Sequence, residues 1–276
     1  MGLFEGFIRF FQTEMPKPAL YGWFHLLWFG IMIGVCVLVY VFRKRISPKA
    51  VANILLVMGI TIIVLEIIKQ LIFSFEFDAD GNLVFDFQTY AFPFQFCSTP
   101  MYLMLLAGIL RKGRVYDALL SYLATFALIG GLLVMIYPGD VYISTIFINI
   151  QTMIVHAGMV VIAFLLFVTR SVQFNYKTLL KAGIVFVCML LIALTMNIIA
   201  HFIVPDETFN MFFIGPYYPC TLPVLSIIYP LVPWVLFFVL YVVGFSLAAG
   251  IVLSVAILCD KLSQRLAKNK TQSIKS

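Results

Sequence analysis

Seven apolar runs, each long enough to cross a lipid bilayer as an α-helix, follow one another along this chain with short charged segments between them. About 20 apolar residues cross a hydrocarbon core of about 30 Å. With 63% hydrophobic and 11% charged residues, the chain has too little polar surface for a water-soluble domain. We therefore predict an all-α, polytopic membrane bundle over residues 23–259, within a single transmembrane domain that spans 1–276. The seven predicted transmembrane helices are Trp23 to Phe42, Val51 to Phe75, Phe92 to Leu110, Ala118 to Ile136, Thr145 to Val168, Leu179 to Val204 and Tyr229 to Cys259.

The segments between the runs alternate in charge. Basic segments follow the first, third, fifth and seventh runs, at residues 43–49, 111–117, 170–181 and 260–276. Acidic side chains follow the other runs, at Glu76, Asp78, Asp80, Asp86, Asp140, Asp206 and Glu207. Because cytoplasmic loops carry an excess of Lys and Arg, we predict an N-terminus outside and a cytoplasmic C-terminal tail, residues 260–276. The net charge of +6 lies beside the apolar runs, so we expect membrane lipids and not nucleic acid as partners.

Two segments differ from the spans. In residues 1–20, Phe4, Phe7, Ile8 and Phe11 follow the spacing of one helix face, which predicts a short helix lying in the membrane interface. The segment Pro205 to Pro233 contains six prolines. Because proline cannot donate a backbone hydrogen bond, we expect an irregular outer loop there that caps the bundle.

The polar side chains inside the spans are concentrated toward the predicted outer side. An ionised group at the bilayer centre costs roughly 2.5 to 3.5 kcal/mol on insertion scales, so each such residue requires a partner or a function. Thr145, Asn149, Thr152 and His156 step by helical spacing along one face. We predict a polar cavity open toward the outer leaflet. Its other candidate lining residues are His25, Glu66, Lys69, Gln95, Cys97, Asn197 and His201.

Structural roles remain open for the same residues. Glu66 and Lys69, three apart, could simply neutralise each other, and His25 beside two tryptophans could belong to the interfacial belt. Asn and Thr side chains in spans often hold helices together. Imidazole, carboxylate and thiolate groups could bind zinc, but HxxxH, HExxH and CxxC spacings are missing from the sequence. We therefore expect neither a metal nor a cofactor, and the five scattered cysteines predict no disulfide framework.

Several motifs together resemble a known family. They are FPFQFC at 92–97, YPGD at 137–140, INIQTMIVHAG at 148–158, TMN ending at Asn197 and TFNMFFIGPYYPCTLP at 208–223. In combination they are similar to the YwaF-type integral membrane family of bacteria, from about His25 to Trp234. The resemblance implies a multi-pass protein of the bacterial plasma membrane.

The YwaF-type family in turn resembles a eukaryotic membrane acyltransferase that builds polyunsaturated ether phospholipids, and more distantly the androgen-induced membrane hydrolases of fatty-acid esters. In the acyltransferase, a Cys on one span and a His on a later span carry catalysis. The resemblance implies that these roles fall on Cys97 and His156. The chain has Phe92, Pro93 and Phe94 where the family often has Leu-Pro-Leu, which leaves the nucleophile in place.

The resulting hypothesis is a lipid acyltransferase or lipid-ester hydrolase. Cys97 would form an acyl-enzyme, and His156 would act as base and then as acid. A phospholipid or lysophospholipid is the expected substrate, and Asn197, His201 or Lys69 could stabilise an oxyanion or bind phosphate. The alternative classes are a small-solute or ion transporter built on Glu66, Lys69 and His156, and a seven-helix sensor.

Overall fold

Six helices of the computed structural model are long and apolar enough to cross a membrane, so the protein is a multi-pass helical membrane protein. The model describes residues 2–204 and 208–273, and it describes the side chains only to residue 266. Asp206 and Glu207, two of the acidic residues used to predict the orientation, lie outside the described residues, as does the end of the basic tail. The long helices are α2 (Trp23–Phe42), α3 (Pro48–Ser74), α5 with α6 (Arg114–Ala124 and Phe126–Ile136), α7 (Ile146–Val168), α8 (Tyr176–Ile203) and α10 (Trp234–Ser273). The short helix α4 is Thr99–Leu110.

The third predicted span, Phe92 to Leu110, is not a continuous helix. Only its second part, α4, is helical, and 12 residues rise about 18 Å, well short of a hydrocarbon core of about 30 Å. Pro93 lies in the non-helical first part, where it removes a backbone donor, and Pro100 lies in the first turn of α4, where a proline is tolerated. The prediction of seven long transmembrane helices is therefore wrong at this span, and six candidate spans are confirmed.

The fourth span bends at Thr125, where α5 ends and α6 begins. The Thr125 hydroxyl donates to the Ser121 carbonyl, and the Ser121 hydroxyl donates to the Asp117 carbonyl. Side-chain hydroxyls that bond back to the preceding turn often bend helices. The smaller elements are α1 (Leu3–Phe11), the antiparallel strands β1 (Phe75–Phe77) and β2 (Leu83–Phe85), α9 (Leu225–Ile228), and 3₁₀ turns at Thr89–Ala91, Met211–Phe213 and Tyr229–Leu231.

One end of the bundle, here called the hairpin end, carries the β1–β2 hairpin. The predicted N-terminal helix is confirmed as α1, and the Gln12 amide just after it donates to the carbonyls of Ile72 and Phe75, at 3.0 and 2.6 Å. Glu14 forms a β-bridge with Thr145, which brings the loop before α7 to the same end. In the hairpin turn, the hydrogen bond from the backbone N–H of Asn82 is the main cause of a lowered pKa of the Asp78 carboxyl.

The opposite end, here called the basic end, gathers the basic segments. Lys181 at the start of α8 pairs with Asp117 of α5 at 3.2 Å, and Arg170 after α7 pairs with Asp260 near the end of α10. The helix α4 runs antiparallel to α3, since Gly108 lies against Leu56 and Gly59 lies against Leu105. Residues 92–110 therefore join the hairpin end to the basic end, and the predicted alternation of acidic and basic segments is matched by two opposite ends.

Two glycines allow the backbones of α3 and α4 to approach each other closely. A Cβ atom at Gly108 would lie 2.6 Å from the Cα of Leu56, and one at Gly59 would lie 2.7 Å from the backbone nitrogen of Leu105. We expect Gly108→Ala to lower the free energy of unfolding by about 1 to 3 kcal/mol, because backbone atoms must move apart. Thermal unfolding in detergent measures the effect. Gly34→Ala on α2, where a Cβ meets nothing within 4 Å, is the control and should be neutral. Equal midpoints for the two variants would contradict the close packing of α3 on α4.

The orientation of the bundle in the membrane is a separate prediction. A single cysteine at position 80 in the hairpin turn should react with an impermeant maleimide in intact cells, whereas one at position 44 should react only after permeabilisation. Both are introduced into a variant that lacks the native cysteines. The opposite labelling pattern would place the hairpin end in the cytoplasm.

Candidate functional site

Cys97 lies in an irregular stretch, residues 92–98, directly before the helix α4. Non-helical backbone at membrane depth requires partners from the protein itself. The Tyr102 hydroxyl donates to the Pro93 carbonyl at 3.1 Å, and the backbone N–H groups of Ser98 and Thr99 donate to the Gln95 carbonyl. The stretch therefore ends in a tight turn that places Cys97 one residue before the N-cap, Ser98.

The side chains of Gln95 and Asn197 hold a second irregular segment, residues 209–215. The Gln95 amide donates to the Asn210 carbonyl at 3.1 Å and accepts from the Phe212 N–H at 2.8 Å. The Asn197 amide donates to the Met211 carbonyl at 2.9 Å and accepts from the Met211 N–H at 2.6 Å. Phe212 and Phe213 both adopt the left-handed region, with φ of 57° and 56°, which costs of order 1 to 3 kcal/mol each.

These two amides were expected to bind substrate, and the structure gives them backbone partners instead. Asn210, which the sequence analysis did not single out, extends the same arrangement by accepting from the Gly215 N–H at 2.8 Å. The Gln95 side chain of residues 92–98 thus satisfies backbone groups of residues 209–215, and the two segments pack together through Phe92 with Phe209 and Phe94 with Phe212.

The buried charges lie on α3. Glu66 is 3% exposed and pairs with Lys69 at 2.5 Å. The other carboxylate oxygen of Glu66 accepts a hydrogen bond from the Gln151 amide of α7 at 2.6 Å. Gln151 was missed because the sequence analysis followed the helix face of Asn149, Thr152 and His156. Glu66 and Lys69 do neutralise each other, and Gln151 ties the pair to α7.

The ring of His156 is held in one tautomer. The ring is 5% exposed, and its Nδ1 lies 2.7 Å from the carbonyl oxygen of Thr152. Because a carbonyl can only accept, Nδ1 carries the proton and Nε2 of the neutral ring keeps a free lone pair. Within the described residues, Nε2 forms no hydrogen bond. Nε2 is also not among the fully buried side-chain atoms without a partner, so it is not completely enclosed by protein. The imidazole is therefore set up as a proton acceptor at Nε2.

The charge of Lys69 acts on both the candidate nucleophile, Cys97, and the candidate base, His156. Its ammonium lies close enough to Cys97 and to His156 for its charge to act on both side chains. In the described residues Cys97 and His156 make no hydrogen bond with each other, while the Cys97 thiol interacts with the neighbouring Ser98 side chain. The structure thus brings Glu66, Lys69, Cys97 and His156 into one cluster within electrostatic range, in which Glu66 and His156 are buried and Lys69 and Cys97 are partly buried.

Three other predicted residues lie apart from this cluster in local roles. Both ring nitrogens of His25 are engaged, one with the Met135 carbonyl at 2.8 Å and one with the Tyr21 N–H at 3.1 Å. The Asn149 amide closes the turn before α7 through the N–H and carbonyl of Ile143. The ring of His201 stacks on Tyr217 at 3.6 Å near the end of α8, and its Nδ1 is buried without a partner.

A cavity of about 300 Å³ opens beside the cluster, between α3 and the segment that leads into α4. Glu66 and Tyr102 contribute to a wall that is otherwise mostly apolar, with Ile63, Ile67 and Phe92 among its residues. Ile67 is 56% exposed, so the opening faces the lipid side of α3. Among the described residues, no group of three or more His, Cys, Asp or Glu side chains could hold a metal ion.

The model of the TMEM164 family matches residues 20–256 of the chain. This range includes the stretch, from about His25 to Trp234, over which the sequence resembles the YwaF-type family. No curated protein and no solved structure matches the chain.

The backbone role of the two amides can be tested by apolar replacement. Gln95→Met and Asn197→Leu each leave a buried N–H and a buried carbonyl unpaired, so we expect each to lower the free energy of unfolding by about 1 to 3 kcal/mol per orphaned group. Thermal unfolding and limited proteolysis of residues 208–224 measure the change. Thr195→Val, on the exposed side of α8, removes only a bond to its own helix and should have little effect. If Gln95→Met keeps the wild-type midpoint while it abolishes lipid binding, the amide serves the substrate and not the backbone.

Proposed function

The chain belongs to the TMEM164 family, and we propose that it is a membrane enzyme that transfers or hydrolyses the acyl group of a lipid ester. Cys97 is the nucleophile and His156 is the general base. The observation that carries the proposal is the tautomer of His156, whose Nδ1 is fixed by the Thr152 carbonyl so that Nε2 can accept a proton within the cluster that contains Cys97.

Two features near Cys97 stabilise a thiolate and oppose the cost of placing its charge inside the protein. The N-terminal end of a helix stabilises negative charge through its unpaired N–H groups and its dipole, and Cys97 immediately precedes the N-cap of α4. The ammonium of Lys69 adds a positive charge within range of the thiol. Glu66 opposes this effect, and its pairing with Lys69 and Gln151 keeps the carboxylate engaged elsewhere.

The reaction follows from these positions. Nε2 of His156 takes the thiol proton, and the sulfur forms a bond to the ester carbonyl carbon while the carbonyl π electrons move to oxygen. When the carbonyl re-forms, the bond to the alcohol oxygen breaks, and that oxygen takes the proton from the imidazolium. A lysophospholipid hydroxyl then attacks the thioester with His156 again as base, giving transfer, or water attacks and gives hydrolysis.

The cavity beside the cluster supports a lipid substrate. Its volume of about 300 Å³, its apolar walls and its opening toward the lipid side of α3 suit part of an acyl chain. Toward the basic end, the interior is filled by apolar side chains such as Leu55, Met104 and Leu120, all nearly fully buried. A transporter requires a polar path to both faces, so this filling favours a site closed at one end.

The proposal predicts a loss of acyl transfer in two variants. Purified protein in proteoliposomes receives a phospholipid with an isotope-labelled acyl chain and an unlabelled lysophospholipid, and mass spectrometry follows the label. We expect Cys97→Ser to abolish transfer and release, and His156→Ala to lower the rate by roughly 100-fold to 10,000-fold, the usual contribution of a general base.

The control is Cys188→Ser, because Cys188 is exposed on α8 and lies outside the cluster. This variant should keep the wild-type rate. Wild-type activity in Cys97→Ser would exclude the thiol mechanism.

A further inference from the structure

Among the described residues, two fully buried tyrosine hydroxyls have no hydrogen-bond partner. Tyr122 on α5 and Tyr241 on α10 are both 0% exposed. Neither hydroxyl has a hydrogen-bond partner among the described residues, although the Thr99 side chain adjoins that of Tyr122. An orphaned buried hydroxyl costs free energy, and phenylalanine would fill the same space without that cost. Two such groups in one protein therefore point to a function for the hydroxyls.

A stack of aromatic rings holds both tyrosines in place. Tyr122 stacks on Phe126 at 5.6 Å, Phe126 stacks on Phe186 at 4.4 Å, and Phe186 lies nearly parallel to Tyr241 at 6.4 Å. The stack joins α5, α6, α8 and α10. Since each ring is packed on its neighbours, the hydroxyls have fixed positions in a dry part of the bundle.

The same stack reaches Cys97. Phe96, the residue before Cys97, packs edge-on against Phe186 at 6.1 Å, and its ring lies tilted against that of Phe245 at 4.8 Å. Phe245 in turn packs against Tyr241 at 4.6 Å. Cys97 lies within range of an electrostatic interaction with each tyrosine hydroxyl, and the two hydroxyls lie within such range of each other. The thiol and the two phenols therefore lie in the same part of the bundle.

We propose that the hydroxyls of Tyr122 and Tyr241 are the hydrogen-bond donors that stabilise the oxyanion formed when Cys97 attacks a lipid ester. This inference rests on the proposed function. The carbonyl oxygen receives an electron pair as the carbon–sulfur bond forms, and both phenols keep their protons while they donate hydrogen bonds to it. When the carbonyl re-forms, the charge leaves the oxygen and the hydroxyls lose their partner.

Such donors are effective because they need no reorganisation. Fixed donors in a site without water stabilise developing charge more strongly than water does. The absence of a ground-state partner fits this role, because a hydroxyl that was already bonded to the protein would have to break that bond in order to reach the oxyanion.

The test separates acylation from simple thiol reactivity. One probe is p-nitrophenyl dodecanoate, which acylates a thiol through a tetrahedral oxyanion and releases a coloured product. The other is N-dodecyl iodoacetamide, which alkylates a thiol without forming an oxyanion. Both are added to the purified full-length protein in proteoliposomes, and mass spectrometry identifies modification at Cys97.

We expect Tyr122→Phe and Tyr241→Phe each to slow acylation by about 100-fold to 1,000-fold, the usual effect of removing one oxyanion donor. Alkylation should keep the wild-type rate, and the unfolding midpoint should stay the same or rise, since an orphaned hydroxyl has been removed. Tyr142→Phe is the matched control, because Tyr142 is equally buried but its hydroxyl contacts the sulfur of Met153 in a different cluster. This control should leave both rates unchanged.

Unchanged acylation in both tyrosine variants would overturn the inference and leave the proposed function standing. An equal loss of acylation and alkylation would also overturn it, since that result shows a disturbed Cys97 and not a lost donor. If the wild type shows no acylation at Cys97, or acylates as fast in Cys97→Ser, the proposed function fails and the inference fails with it.

Discussion

The fold depends on the need of every backbone N–H and carbonyl within a membrane protein to find a partner inside the protein. Neither residues 92–98 nor residues 209–215 form an α-helix. The first segment meets this need through the Tyr102 hydroxyl and its own tight turn, and the second through the amides of Gln95, Asn197 and Asn210. Those hydrogen bonds also hold Phe212 and Phe213 in the left-handed region. Because the chain before α4 can remain irregular, α4 begins inside the bundle, and Cys97 lies at its start.

The buried ion pair on α3 is not explained by a gain in the stability of the fold. Taking two charges out of water costs several kcal/mol per ion, and their attraction often does no more than offset this cost. Glu66 gains a further hydrogen bond from Gln151, which fixes α3 against α7. Within the described residues, Lys69 has no acceptor besides Glu66, and its charge acts on Cys97 and His156. The pair thus places a positive charge within range of the thiol, and the Glu66 carboxylate offsets that charge.

The sequence predicted most of the fold and the residues of the cluster, but it predicted few of the groups to which the buried polar side chains are hydrogen-bonded. Apolar length and loop charge identify six spans and the two ends, because bilayer thickness and backbone satisfaction leave little freedom. The prediction of a continuous helix for the third span was wrong. Hydropathy does not show that the Gln95 side chain can form hydrogen bonds with the backbone of residues 210–212, 115 positions and more away. Likewise the sequence indicates the depth of Asn197, Asn149 and His25 but not the groups they contact. Tyr122 and Tyr241 were missed because a tyrosine in an apolar run counts as apolar in a hydropathy reading.

The short length of α4 also determines where Cys97 lies within the bundle. The 12 residues of α4 rise about 18 Å and end against the interior part of α3, so Cys97, just before the helix, lies inside the bundle and far from the basic end. Under the proposed function, the carbonyl of a lipid ester, which lies near the edge of the hydrocarbon core, has to move inward to meet the thiol. A purely apolar wall would oppose this movement of a polar group. The polar groups of Glu66, Lys69 and Gln151 line the interior near this depth, whereas the cavity beside them is mostly apolar and suits the chain that follows the ester. Under the proposed function, the ester lies at the polar groups and the acyl chain lies in the apolar cavity, and Glu66 borders both because it pairs with Lys69 and also lines the cavity.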